Sequence, residues 1–183
     1  MTERPIFYWD ACMFYEVLGD EPVDSRKKAA VTEILKENEK GSNYILTSVI
    51  THLEVLPSKL EGKGVSDEED YLSLFDAEKF GVVDIDTNII LRAREIREYY
   101  YISGDENGRG AKMMDLGDAI HLATATIHNV KLFHTRDNSR RGIKIPLLSL
   151  YESYGSKKLC GKYDLEILSP EADQGDLDLK PKE

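Results

Sequence analysis

Apolar residues along the chain fall into short runs separated by longer amphipathic stretches. The short runs are rich in β-branched and aromatic residues, which is typical of buried strands. They predict five strands, over residues 5–9, 44–46, 82–85, 130–135 and 145–150. The stretches between them place apolar residues three or four positions apart, which indicates helices with one buried face. The predicted helices cover residues 11–18, 25–40, 49–60, 66–79, 87–102 and 116–127.

The alternation of strands and helices predicts an α/β fold. Helices that connect parallel strands cover both faces of the sheet. We expect a doubly wound, five-stranded parallel sheet of order 3-2-1-4-5, in which strands 1 and 4 are neighbours where the winding reverses. Residues 1–150 then form one domain, and the polar residues 151–183 form a C-terminal extension that is partly disordered.

Composition narrows the class of protein. The chain is 41% hydrophobic and 32% charged, with a net charge of −10, which argues against a nonspecific nucleic-acid coat but allows an acidic metal pocket. No apolar run approaches the roughly 18 residues of a membrane span, and the first residues do not resemble a signal peptide. Cys12 and Cys160 are too far apart to indicate a disulfide framework or a zinc site. We therefore expect a cytoplasmic protein with reduced thiols.

Two acidic residues are brought to one edge of the sheet by the predicted topology. Asp10 follows the first strand and Asp137 follows the fourth, so both lie at carboxyl ends of neighbouring parallel strands, where ligands bind in such sheets. Asp118 begins the helix that leads to the fourth strand, and Glu54 lies beside the apolar face of an earlier helix. The pattern alone does not bring these two to the same edge. Turn, helix-start and solvated-helix roles remain ordinary explanations for the four acids.

Basic residues surround Asp137, namely Arg136, Arg140, Arg141 and Lys144. Arginine side chains of this kind can bind RNA phosphates beside an acidic site, although a charge run is more often simply solvated. The glycine-containing loop 103–111 matches neither a P-loop nor a dinucleotide-binding fingerprint.

One segment resembles a known family. The sequence DAIHLATA at 118–125, followed after a short strand by TRD at 135–137, resembles the PIN-domain nucleases. An early WDA at 9–11 and the helical Glu54 fit the same layout, and the resemblance covers roughly residues 5–150.

The resemblance implies a metal-dependent endoribonuclease whose acidic site is formed by Asp10, Glu54, Asp118 and Asp137. Carboxylate oxygens are the ligands that Mg²⁺ and Mn²⁺ prefer, and a bound cation relieves the repulsion between grouped carboxylates. Thr135 matches the hydroxyl residue that often precedes the last acid. Because many PIN domains are toxins of toxin–antitoxin pairs and often dimerise, the expected partners are RNA, a protein antitoxin and a second copy of the chain.

Several positions depart from the family pattern or have a second interpretation. Cys12 stands where a small hydroxyl residue is often found, and it is interpreted as a small buried residue. Asn138 and Ser139 stand where some members carry a further acid, and Asn138 is an auxiliary candidate for orienting water or a ligand. His121, one turn after Asp118, is interpreted as a structural histidine. Asp115 is interpreted as a helix cap.

Two other functions remain open at this stage. A degenerate PIN module would bind RNA or protein without cleavage, which the long acidic tail and the missing hydroxyl at Cys12 favour. A doubly wound phosphoryl-transfer enzyme would use Asp10 as its nucleophile, since an Asp at the end of the first strand fits that chemistry. Such an enzyme usually carries a second acid two residues later, where this chain has Cys12.

Overall fold

The fold is a single parallel sheet flanked by helices, seen in a computed structural model that describes residues 4–19, 24–62, 68–138, 142–151 and 158–171. The sheet has five strands in the order β3-β2-β1-β4-β5, which confirms the predicted doubly wound α/β fold. All four pairings between neighbouring strands are parallel. The strands are β1 Ile6–Trp9, β2 Tyr44–Ser48, β3 Phe80–Val83, β4 Leu132–His134 and β5 Glu166–Leu168.

Helices connect most of these strands, and their bounds largely follow the apolar pattern. Asp24, Asp86 and Asp115 cap their helices through side-chain oxygens that accept backbone amide hydrogen bonds. The helices are α1 Ala11–Leu18, α2 Ser25–Glu39, α3 Ile50–Glu54, α4 Pro57–Glu61, α5 Glu68–Ser73, α6 Thr87–Tyr100 and α7 Leu116–Ile127. None of the helices in these described ranges is long and apolar enough to cross a membrane.

The sheet separates two hydrophobic cores. Tyr8 and Trp9 are consecutive residues of β1, both fully buried, and they belong to different cores because successive side chains of a strand point to opposite faces. Tyr8 packs in the core formed largely by α6 and α7, and Trp9 packs with Phe14 of α1. Strand β1 is therefore buried on both faces, and the chain reaches Asp10 directly from this fixed position.

The predicted fifth strand at residues 145–150 is wrong. Residues Leu147–Ser149 form a single 3-10 turn, and Pro146 before them lacks the amide that a ladder needs. Ile145, Leu147 and Leu150 are buried in the core that contains Tyr8, but they do not pair with the sheet. The fifth strand is instead β5, which lies in the segment predicted to be a polar extension and pairs with β4.

The predicted helix at residues 49–60 is two helices, α3 and α4. Pro57 is the first residue of α4, so it ends the preceding helix as expected. The apolar residues of this stretch do not share one buried face, because Leu53 is 74% and Leu56 40% exposed while Val55 and Leu60 are buried. The next helix, α5, ends at Ser73, earlier than predicted, and its predicted start at Ser66 lies outside the described residues.

Candidate active site

Asp10 lies at the point where the winding of the sheet reverses. It caps α1, with Oδ1 accepting a hydrogen bond from the Cys12 amide at 3.1 Å. Because Trp9 pairs with His134 in the β1–β4 ladder, the following residues of the two strands also meet. Thr135 accordingly donates a hydrogen bond from Oγ1 to Asp10 Oδ2 at 2.5 Å. Both oxygens of this buried carboxylate are therefore held in place.

Thr135 also fixes the turn that carries Asp137. Its Oγ1 accepts a hydrogen bond from the Asp137 amide at 2.9 Å, so one hydroxyl connects the two strand-end acids. Asp137 is buried, and its Oδ2 accepts a hydrogen bond from the Leu147 amide at 3.1 Å. The edge predicted from topology is thus formed by Asp10 and Asp137 with Thr135 between them.

Asp118 reaches this edge from the first turn of α7. Its Oδ2 lies 3.1 Å from Lys144 Nζ, which is also 3.2 Å from Asp137 Oδ2. Asp118 and Lys144 form an ion pair. Apart from this contact, Asp118 Oδ2 is a buried oxygen without a hydrogen-bond donor among the residues that the structure describes. Such an oxygen is costly unless a cation satisfies it.

Glu54 enters the site from the end of α3 and is held by its side chain and its backbone. Its Oε2 lies 2.8 Å from His121 Nε2, and the other ring nitrogen of His121 lies 2.9 Å from the Tyr8 hydroxyl. Tyr15 donates a hydrogen bond to the Glu54 carbonyl at 2.8 Å, which fixes the backbone. His121 is 1% exposed, and these contacts agree with its interpretation as a structural histidine.

The acids influence one another electrostatically. Burial raises the pKa of Asp10 to about 6, with Glu54 and Asp137 adding to the rise and His121 and Thr135 opposing it. Burial likewise raises the pKa of Asp118 to about 7, with Asp137 and Asp10 adding to the rise and Lys144 opposing it. The structure therefore brings all four predicted acids into one cluster.

The variant Gly117→Ala tests whether the Glu54 carboxylate belongs to the metal site. A Cβ atom at this position would stand 2.2 Å from Glu54 Oε1, so Gly117→Ala must displace the carboxylate. Alanine favours the helix by up to about 1 kcal/mol, and the displaced atom is the end of a flexible side chain, so stability is expected to hold or rise. We expect Mn²⁺ affinity, measured by calorimetry, to fall about tenfold or more.

The matched control for this variant is Gly62→Ala. Gly62 ends α4, and a Cβ there meets only ordinary contacts, the nearest at 3.5 Å. Unchanged Mn²⁺ affinity in Gly117→Ala would contradict the place of Glu54 in the metal site.

Of the three arginines predicted to contact RNA, Arg136 lies in the part of the chain that the structure describes. Arg136 binds Glu16 through Nε and Nη2, and its Nη1 donates to Ser169 Oγ and the Pro170 carbonyl. Its side chain is 15% exposed and is held by these partners, and its contact with RNA stays a prediction. Arg140 and Arg141 lie outside the described residues.

Two other predicted auxiliary positions differ in their surroundings. Asn138 is exposed. Cys12 is only partly buried, and burial together with the neighbouring acids raises its thiol pKa, so the thiol stays neutral beside Asp10.

Sequence reasoning missed the role of Lys144 as the ion-pair partner of two acids, because it counted Lys144 only among the basic residues near Asp137. Its position in the segment after β4 was the available signal.

The donor set fits a hard divalent cation in its chemistry. Four carboxylates share the site, and one buried carboxylate oxygen lacks a hydrogen bond. Within the described ranges, no three His, Cys, Asp or Glu side chains are already arranged to hold a metal ion.

Comparisons with known proteins give the family of this chain. Among curated proteins, none matches the chain significantly. A chain from a solved structure described as a toxin-antitoxin complex from Klebsiella pneumoniae is similar, with 20% identity and a TM-score of 0.48, covering 72% of this chain and 87% of that one. The family model for the PIN domain matches residues 7–144. Since this match spans most of the sequence and both strand-end acids, the chain belongs to the PIN domain family.

Proposed function

We propose that this protein is a divalent-metal-dependent endoribonuclease, with Asp10, Glu54, Asp118 and Asp137 as the ligands of Mg²⁺ or Mn²⁺. The observation that carries the proposal is the buried acid cluster at the winding reversal of a PIN-family sheet, with raised pKa values at Asp10 and Asp118. Clustered carboxylates with these properties are typical of functional sites.

Each residue has a distinct task in this proposal. A bound divalent ion supplies water activation and stabilises charge on the phosphate. Thr135 keeps the Asp10 carboxylate in one orientation, and the Leu147 amide does the same for Asp137. His121 holds Glu54 at the rim of the site, where its side chain is 32% exposed. These contacts pre-organise the ligands, which reduces the reorganisation needed when a cation and RNA bind.

The biological setting of the proposal comes from the family rather than from the site. Because many PIN domains are toxins, we propose a toxin of a toxin–antitoxin pair with RNA as substrate and a protein antitoxin as partner. A homodimer and a cytoplasmic location belong to the same proposal. The two cysteines are free, which agrees with a reducing compartment.

A degenerate PIN module that binds without cleaving is the second candidate. The observation that favours it is the Lys144 ammonium group between Asp118 and Asp137, where it satisfies charge that a metal would otherwise satisfy. A phosphoryl-transfer enzyme with Asp10 as nucleophile is less consistent with the structure. Both Asp10 oxygens already accept hydrogen bonds, from the Cys12 amide and the Thr135 hydroxyl.

Metal binding distinguishes the first two candidates. We expect Mn²⁺ calorimetry to show binding by the parent and none by the double variant Asp10→Asn/Asp137→Asn, because two ligands lose their charge. Cleavage of a set of RNAs should require the same ion. The control is Asp70→Asn/Asp84→Asn, which removes the same charge from exposed positions. If the parent binds no Mn²⁺, even with a short RNA present, the degenerate module is favoured.

A further inference from the structure

Lys144 is held firmly at its position beside the acids. The preceding carbonyl, of Ile143, accepts a hydrogen bond from the Met113 amide at 2.9 Å, and Met113 and Lys144 form an isolated parallel bridge. After Lys144 the chain enters the core at Ile145, which is 2% exposed. The Leu147 amide then binds Asp137 Oδ2. The backbone is therefore fixed on both sides of Lys144, unlike that of a lysine in an open loop.

The ammonium group of Lys144 neutralises charge between two carboxylates. Its Nζ lies 3.1 Å from Asp118 Oδ2 and 3.2 Å from Asp137 Oδ2, and its side chain is only 32% exposed. Two carboxylates at ion-pair distance favour the charged form of a lysine, so the group lies between them as a cation.

A metal ion that bridged the same two oxygens would compete with this ammonium group. Mg²⁺ binds carboxylate oxygen at about 2.0–2.1 Å, and both Oδ2 atoms already have Nζ as a cationic neighbour. Two-metal sites place their ions about 3.5–4 Å apart. One ion can therefore lie beside the ammonium group, while the ammonium group occupies the place of the other.

The net charge of the site also favours a single divalent ion. Four carboxylates with one lysine leave three negative charges, and one divalent ion brings the site to a single negative charge. A second divalent ion would make the site positive while the lysine remained. Resting on the function proposed above, we propose that Lys144 is a built-in cation that takes the bridging position between Asp118 and Asp137, so that the site binds one divalent ion.

The test is Mn²⁺ stoichiometry by calorimetry, with electron paramagnetic resonance to detect a spin-coupled ion pair. The variants are Lys144→Met and Lys131→Met, the latter removing an exposed lysine that pairs with Asp164. We expect one ion in the parent and in Lys131→Met. Lys144→Met should bind two coupled ions, or one ion at least about tenfold more tightly, because a neighbouring positive charge has been removed.

The outcomes separate this inference from the proposed function. Two ions in the parent, or unchanged number and affinity in Lys144→Met, overturn the role of Lys144 and leave the nuclease intact. Binding by Lys144→Met alone contradicts both the single ion expected in the parent and a metal-dependent enzyme. If neither the parent nor Lys144→Met binds Mn²⁺, even with short RNA present, the role of Lys144 and the proposed metal-dependent function are both overturned. If Lys144→Met does not fold, Lys144→Gln provides an uncharged hydrogen-bond donor for the same measurement.

Discussion

Replacing Asp118 with Asn is expected to lower metal-dependent RNA cleavage by more than about 100-fold. Mutating a residue that only hydrogen-bonds a metal ligand costs about 10–100-fold in metal affinity or activity, and loss of a ligand itself should cost more. Asn has almost the same shape but no charge, so it binds a hard cation weakly. Asp118 is the acid whose buried oxygen lacks a hydrogen bond, and burial with neighbouring carboxylates raises its pKa to about 7. The measurement is initial cleavage rate at saturating Mg²⁺ or Mn²⁺.

Asp115→Asn is the control for this variant. Asp115 caps the same helix, is exposed, and accepts a hydrogen bond from the Gly117 amide at 3.0 Å. Asn is an equally good cap, so the helix should be unaffected and cleavage should stay near the parent rate. Cleavage by Asp118→Asn at the parent rate would show that this acid is not a ligand, and a loss in Asp115→Asn would show that the cap residue belongs to the site.

The sheet and two of the acids follow from local signals in the sequence. Short apolar runs separated by amphipathic helices allow few topologies, since parallel strands need crossovers and these are right-handed. Once strands 1 and 4 are neighbours, Asp10 and Asp137 come to the same edge because Asp10 directly follows β1 and Asp137 lies three residues after β4. Asp118 and Glu54 needed the family resemblance, since a helix end can approach the sheet edge in several ways.

The fifth strand was missed because apolar character does not by itself specify pairing. Residues 145–150 contain more apolar side chains than Glu166–Leu168, yet Pro146 lacks an amide and the Leu147 amide binds Asp137. Strand β5 has only three residues and lies in a polar region, where a short run carries little signal. Its pairing with β4 is a tertiary contact that periodicity does not report.

Side-chain partners that are distant in sequence could not be predicted either. Arg136 was interpreted as an RNA contact because it adjoins an acid and other basic residues. Its partner Glu16 lies 120 positions away, and Ser169 lies beyond the predicted domain end. No local pattern indicates that these groups meet. The charge of Lys144 was visible in the sequence, but its place between two acids depends on how the segment after β4 folds.

Arg136→Met is expected to destabilise the protein by about 3–5 kcal/mol, because it leaves a buried charge without its partner. The Glu16 side chain is only 7% exposed, and Arg136 Nη2 donates to its Oε1 at 2.9 Å. The same guanidinium also donates to Ser169 Oγ at 2.5 Å and the Pro170 carbonyl at 2.8 Å, so it connects α1 to the residues after β5. Denaturant unfolding of parent and variant measures the difference in the free energy of unfolding.

A double variant separates the ion pair from packing. Removing both charges in Arg136→Met/Glu16→Met should recover much of the lost stability, since an apolar pair often replaces a buried ion pair without loss. Lys131→Met, which breaks an ion pair with both side chains more than half exposed, should change stability by less than about 1 kcal/mol. If Arg136→Met costs as little as Lys131→Met, the contacts of the Arg136 guanidinium do not stabilise the fold, and the stabilising role assigned to them is wrong.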